Sequence, residues 1–311
     1  MSEERAAGAL RLGTRGSALA VRQAEWVAAE IRARSPAVTV EIHRIKTSGD
    51  RIQARALAEI GGKGLFVKEI EEALAAGRID AGVHSMKDLP ASLAAGLEIV
   101  AVPVREDSRD VLVSLSTNGL GGLARGARVG TGSLRRRAFL RHTRPDVEVV
   151  PMRGNVDTRI AKWRAREVDA LILAHAGLRR LGLALPEARP LSIDELLPAI
   201  GQGALAVEAA AETRWWRVLA ALDDSDSAIA VGAERAFLRA MGGDCTTPIA
   251  AHATVAGDEV RLRGAVGDPD GRRLVRAERS GRRQAAEDLG ATVAEELLSR
   301  GGREILAELA R

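Results

Sequence analysis

Through about residue 200 the chain alternates short aliphatic runs with longer stretches whose apolar positions recur every three or four residues. Leu171-Ile172-Leu173 is unbroken and apolar, the pattern of a strand buried on both faces, whereas Val38-Thr39-Val40-Glu41-Ile42 alternates sides. Strands are predicted over 9–14, 38–46, 97–104, 110–115, 147–152 and 170–174, with a further one ending near His84. Helices are predicted over 18–34, 65–76, 134–142, 155–166 and 229–240, with Ser17 as an N-cap and Gly77 as a C-terminal stop. Strand and helix in alternation predict mainly parallel α/β sheets.

After about residue 222 the pattern changes to strands joined by polar turns, at 250–255, 260–266 and 274–280. Gly257-Asp258 and Gly267-Asp268-Pro269-Asp270-Gly271 are the turn signals. Helical stretches over 283–299 and 302–310 follow, so the C-terminal part is a small α+β unit. No internal repeat or low-complexity segment interrupts the chain.

A length of 311 residues suggests two or three domains, and 46% hydrophobic with 28% charged residues fits a globular protein. No apolar run approaches the ~18 residues that span a bilayer, and Met1-Ser2-Glu3-Glu4 lacks a signal-peptide pattern, so a cytoplasmic location is expected. A net charge of +4 is a small excess, and four Trp, three Phe and no Tyr give few platforms for stacking bases. Five of the 46 basic residues are lysine and the rest are arginine, so each lysine stands out.

Several loops follow a strand with small residues and then open a helix, which leaves backbone N–H groups and the helix dipole facing an anion. They are Gly13-Thr14-Arg15-Gly16-Ser17, Gly61-Gly62-Lys63-Gly64 and Gly130-Thr131-Gly132-Ser133-Leu134-Arg135-Arg136-Arg137. None is a nucleotide-binding fingerprint. Arg135 and Arg136 oppose the macrodipole from a first helical turn and so call for an anion beside them. Arg153 with Arg159, and Arg179 with Arg180, add two more basic stations, a demand for a ligand with several carboxylates or phosphates.

His84-Ser85-Met86-Lys87-Asp88-Leu89-Pro90 sets an acid beside a lysine. Asp88 reads either as a helix cap ahead of Pro90 or as the one carboxylate able to steady a developing cation in a polyanion site. His84 has no second histidine at ligand spacing and is read as structural, so no metal is expected. The only cysteine, Cys245, lies in Gly242-Gly243-Asp244-Cys245-Thr246-Thr247-Pro248. A lone thiol there is a loop nucleophile, an attachment point or a small packed hydrophobe.

These segments together closely resemble the porphobilinogen deaminase (hydroxymethylbilane synthase) family over nearly the whole chain. The resemblance is carried by LRLGTRGSALAVRQAEWV from 10, GGKGLFVKEIEEAL from 61, HSMKDLP from 84, REDSRD from 105 and VGTGSLRRRAFL from 129. RGNVDTR from 153, AHAGLRRLG from 174, LPAIGQGALAVE from 197 and ERAFLRAMGGDCTTPIAAH from 234 continue it.

The resemblance implies an α/β fold with two doubly wound, solute-binding-protein-like domains plus a small α+β C-terminal domain. Domain 1 would take residues 1–104 and 201–222, domain 2 residues 105–200 and domain 3 residues 223–311, with the active cleft between the first two and 47–62 as a mobile lid. It implies a transferase of tetrapyrrole biosynthesis that joins four porphobilinogen molecules head to tail, with loss of ammonia, into hydroxymethylbilane. The primer is a covalent dipyrromethane, which the family's cysteine loop assigns to a thioether on Cys245. Asp88 becomes the catalytic carboxylate and a cofactor contact together with Lys87, Ser133, Arg135 and Arg136. Arg15, Ser17, Arg153, Arg159, Lys63 and Arg180 fall to substrate carboxylates, and Phe66 either to the ring system or to the core. A monomer that passes its product to uroporphyrinogen III synthase, with no nucleic-acid or membrane partner, completes the implication.

Three positions depart from the family pattern. Glu59 stands where lysine is usual, Gly132 where serine is common and Asp244 where a second glycine precedes the cysteine. A carboxylate beside Cys245 raises the thiol pKa and slows attachment. Two other classes compete: a non-catalytic anion-binding or sensor protein of the two-lobed fold, and a nucleic-acid-binding protein. The first has no use for Asp88 and Cys245 together, and the second calls for a continuous basic face, whereas these cations cluster at glycine loops.

Overall fold

The computed structural model describes residues 8–48, 67–116, 118–243 and 247–309. In chain order the first elements are β1 (Leu10–Arg15), α1 (Ala18–Arg34), β2 (Val40–Ile45), α2 (Lys68–Ala75), β3 (Ala81–Ser85) and β4 (Leu97–Ala101). There follow β5 (Asp110–Ser114), β6 (Arg128–Thr131), α3 (Leu134–Thr143), β7 (Glu148–Pro151), α4 (Val156–Arg164), β8 (Ala170–Ala174), α5 (His175–Arg180) and β9 (Ala188–Pro190). The last are β10 (Leu205–Ala210), α6 (Trp216–Ala220), α7 (Ser225–Met241), β11 (Ile249–Ala256), β12 (Glu259–Gly267), β13 (Leu274–Arg282), α8 (Ala286–Leu297) and α9 (Arg303–Leu309).

Two compact units emerge, one of Met1–Arg105 with Ala204–Ala228, the other of Glu106–Gly203 with Ile229–Arg311. The first holds a five-stranded sheet in the order β2-β1-β3-β10-β4, with β10 antiparallel to both neighbours. One face is closed by α1 and α6, where Val27, Ile31, Trp215 and Leu219 pack on Leu10, Leu12 and Val207. Ile70 and Leu74 of α2 close the other with Ile79 and Leu97. The helix starts where the sequence says it should: the Ser17 hydroxyl accepts from the Ala20 N–H at 3.3 Å, and Gly77 turns the chain after α2 with φ +62°.

The second unit repeats that topology with different strands. Its sheet runs β7-β6-β8-β5-β9, so that β5, arriving early in the chain, takes the antiparallel place that the late strand β10 takes in the first. Leu171, Ile172 and Leu173 of β8 are all buried, which is why that strand lacks alternation. Phe139 and Leu140 of α3 cover one face and Ile160 and Trp163 of α4 the other. Layers of helix on both faces of a mainly parallel sheet are the α/β class.

The antiparallel sheet β11-β12-β13 carries the α+β part, and its turns are the ones the sequence marks, with Gly257 at φ +60° and Gly271 at φ +76°. Its inner residues Ala250 and Ala265 join the same core as Phe139 and Leu197. Helix α7 begins at Ser225, four residues ahead of the expected start. Among the described residues no helix is long and apolar enough to cross a membrane.

Candidate active site

In open α/β sheets ligands meet the carboxyl ends of the parallel strands, near the point where strand order reverses. The described residues singled out in the sequence all fall there. In the first unit Arg15 ends β1 and Ser17 caps α1, while Lys87 and Asp88 follow β3 in a single 3-10 turn, Met86–Asp88. In the second Ser133, Arg135 and Arg136 follow β6, Arg153 and Arg159 follow β7, and Arg180 closes α5 after β8. Lys63, Phe66, Glu59, Asp244, Cys245 and the 49–62 part of the expected lid lie outside the described residues.

Asp88 ends its turn without starting a helix, so the capping alternative is set aside. Its carboxylate is half-buried and meets no hydrogen-bonding or ionic partner among the described residues. The strand beneath is firmly held. Met86 N–H donates to the Ala204 carbonyl at 3.1 Å, and Gln23 Nε2 donates to Ser85 Oγ at 2.8 Å. A pinned turn under an unpaired carboxylate keeps that charge in place for a ligand.

The loops after β1 and β6 are built alike. Buried Thr14 donates its hydroxyl to the Ala20 carbonyl at 3.0 Å in one, and the Thr131 hydroxyl accepts from Ser133 N–H at 3.2 Å in the other. Ser133 in turn caps α3 by accepting from Arg136 N–H at 3.4 Å. The glycine at 132 has a local cause, because a Cβ there would stand 2.7 Å from the Met152 carbonyl oxygen.

The anion that Arg135 and Arg136 call for is supplied in part by the chain itself. Asp110, wholly buried at the start of β5, accepts from Arg135 at 2.7 Å through one oxygen and from Arg136 at 2.7 Å through the other. Gln202 Nε2 donates to the same carboxylate at 3.0 Å, and Arg135 and Arg136 also donate to the carbonyls of Leu197 and Ile172. The sequence reading, which sought this anion outside the chain, is corrected to that extent. Burial alone would raise the Asp110 pKa, but the two guanidinium charges and the Gln202 hydrogen bond outweigh it and bring it to about 2.

Since the folded-state value lies below the ordinary one, the stabilisation from Asp110 is complete above about pH 4 and is lost as pH falls through about 2. Acid titration of the unfolding midpoint should therefore show a loss of stability in that window for the wild type. The same titration of Asp110→Asn should lack that component.

Two further arginines are short of counter-charge. Arg159 donates Nε–H to the Gly154 carbonyl at 2.8 Å, and burial together with the neighbouring Arg136 charge lowers its pKa to about 10. Arg180 is lowered to about 10 by burial, offset only in part by Glu106, and donates to the Gly203 carbonyl at 2.7 Å. Gly203 sits at φ +89°, and a Cβ there would fall 2.3 Å from the Glu106 carbonyl oxygen. Gly203→Ala is expected to cost about 2–4 kcal/mol from backbone strain and overpacking together. Urea unfolding would measure it.

Asp110, Asp107 and Gln202 are site residues that sequence reasoning passed over. Asp107 accepts from Arg109 at 2.6 Å and meets His175 Nδ1 at 2.9 Å, and those partners outweigh burial to hold its carboxyl well below the usual range. The available signal was an acid at the head of the apolar run Asp110-Val111-Leu112-Val113. Taken separately, the first unit offers a carboxylate that meets no partner among the described residues, and the second a cluster of cations at its strand ends. A cofactor bearing carboxylates fits the second on two observations. Arg135 Nε is buried without an acceptor among the described residues, and the Asp110 cluster keeps one positive charge uncompensated.

The fold is of the mixed α/β class, with cations at the strand ends of both units. Two family models match the chain, "Porphobilinogen deaminase, dipyromethane cofactor binding domain" over residues 10–217 and "Porphobilinogen deaminase, C-terminal domain" over residues 228–299. A porphobilinogen deaminase of Syntrophus aciditrophicus is 50% identical over 301 residues, 96% of this chain and 98% of that protein. One of Geobacter sulfurreducens is 48% identical over 303 residues, 96% of this chain and 94% of its own. The chain belongs to the porphobilinogen deaminase family. Among solved structures, an ancestral cationic amino acid solute binding protein aligns with TM-score 0.46 and 12% identity over 70% of this chain and 89% of its own. The BenM effector binding domain with its effector benzoate aligns with TM-score 0.42 and 15% identity over 68% and 88%.

Proposed function

We propose that the strand-end residues described above carry out the family's reaction in this chain, the deaminating head-to-tail condensation of four porphobilinogen molecules into hydroxymethylbilane. The observation that carries the assignment of roles is Asp88, a carboxylate with no partner among the described residues, on a pinned turn beside Lys87. Porphobilinogen bears an acetate and a propionate on its ring, and Arg15, Ser17, Arg153, Arg159, Lys63 and Arg180 bind those groups by charge-assisted hydrogen bonds. Lys87, Ser133, Arg135 and Arg136 hold the carboxylates of the dipyrromethane, with Cys245 as its thioether anchor. When bound, that cofactor supplies the pyrrole carbon to which the first substrate is joined.

As the C–N bond of the protonated aminomethyl group breaks and ammonia leaves, the retained methylene becomes electrophilic and positive charge spreads onto the pyrrole nitrogen. The Asp88 carboxylate stabilises that charge and accepts the ring N–H, an interaction stronger in the transition state than with neutral substrate. The cations fix the ring by its carboxylates and so convert encounter into alignment. The enzyme works as a cytoplasmic monomer and passes its product to uroporphyrinogen III synthase. The test is incubation of the purified protein with porphobilinogen. Equal molar release of ammonia and consumption of porphobilinogen, with a linear tetrapyrrole as product, supports this function, and binding without ammonia release favours the anion-binding alternative.

A further inference from the structure

Asp110 carries no assigned role, yet it joins Arg135, Arg136 and Gln202 in the second unit. It lies at the head of β5, opposite Ala174 at the carboxyl end of β8, and so reaches the strand ends from an antiparallel neighbour. Its two oxygens accept from Arg135 and Arg136, and Gln202 ties it to the Ser108 carbonyl by donating to both, at 3.0 and 2.8 Å. The two guanidiniums are almost fully buried, with side chains 3% and 7% exposed. Buried arginines this close repel each other, and a carboxylate between them is what lets both stay charged in one geometry. One carboxylate against two guanidiniums leaves a single positive charge, with half-buried Arg159 close enough for its field to meet Arg136. Arg135 Nε–H also keeps no acceptor among the described residues.

We propose that Asp110 is the positioning residue of this site, holding Arg135 and Arg136 as a preformed pair with one uncompensated charge that accepts one ligand carboxylate. The inference rests on the assignment of that pair to the dipyrromethane. It adds that the affinity of the station is set by an internal acid which never touches the ligand. A second internal acid would cancel the station, and loss of Asp110 would let the arginines splay apart.

The test compares Asp110→Asn with Leu112→Ala, a buried apolar truncation two residues along the same strand. Three quantities are read: the unfolding midpoint, the rate at which apo-protein gains primer mass on incubation with porphobilinogen, and KM for porphobilinogen of the loaded enzyme. Asp110→Asn should slow loading and raise KM by about tenfold or more, as misplacement of a clamp does. Leu112→Ala should lower the midpoint comparably while leaving loading and KM near wild type, which separates positioning from plain stability. If Asp110→Asn does not fold, Gln202→Met removes the neutral tether, keeps all three charges and should shift loading in the same direction to a smaller extent. Wild-type loading and KM in Asp110→Asn, or in Gln202→Met where Asp110→Asn is insoluble, would overturn the inference. Equal shifts in Leu112→Ala would do so too. A wild-type protein that releases no ammonia at all would instead overturn the proposed function.

Discussion

Asp88→Asn is expected to lower kcat by about 10²–10³, the usual cost of removing one preorganised charge from a transition state. The substitution keeps the size of the side chain and one acceptor oxygen, so the 3-10 turn and its Met86–Ala204 hydrogen bond should persist. What it removes is the negative charge. Asn accepts a hydrogen bond from a pyrrole N–H but gives no Coulombic stabilisation to a ring that becomes cationic as ammonia leaves. Since the carboxylates of the substrate are held elsewhere, KM should change far less than kcat, the pattern of an interaction made only in the transition state. Primer attachment needs far fewer turnovers and should still be completed on long incubation. Steady-state kinetics with intact mass checks both parts, and a near-normal kcat would remove Asp88 from the chemistry.

Cys245→Ser should abolish covalent loading. A thiolate is a strong nucleophile near neutral pH, whereas a serine hydroxyl is a weak one. The protein should fold as before, because the substitution exchanges one sulfur for one oxygen and leaves the side chain otherwise unchanged. Product formation should then fall to background, since no primer is retained between additions. Mass spectrometry after incubation with porphobilinogen reads the result directly. A Cys245→Ser protein that still gains the primer mass would place the anchor on another residue.

Much of this fold is written in the local pattern. Helix α1 spans Ala18–Arg34 as its periodicity and Ser17 cap indicate, and β8 covers Ala170–Ala174. The hairpins of the C-terminal sheet follow from glycines that take positive φ. Strands β9 and β10 and helices α5 and α6 escaped notice for physical reasons, and β6 is read only as a strand ahead of the Gly130 loop, without bounds. Strand β6 is four residues ending Gly130-Thr131, β9 is three residues ending in Pro190, and β10 pairs only with strands far away in sequence. Their stability comes from tertiary pairing, which leaves little trace in a short window.

The site divides in the same way. Cations at glycine loops and the acid of the Lys87-Asp88 pair could be read from residue type and order, and so could the misfit of Arg135 and Arg136 with the helix dipole. That the missing anion is Asp110 could not, because the two segments meet only when β5 enters the sheet beside β8. The residue that completes the station is 25 positions from Arg135, and no spacing rule connects them.

The most direct test of the whole account is the intact mass of the purified wild-type protein, followed by peptide mapping across Cys245. The account predicts an added mass equal to two porphobilinogen units less two ammonias, confined to the peptide that carries Cys245. A chain that stays unmodified after incubation with porphobilinogen or with preformed hydroxymethylbilane would contradict it and leave a binding protein in its place.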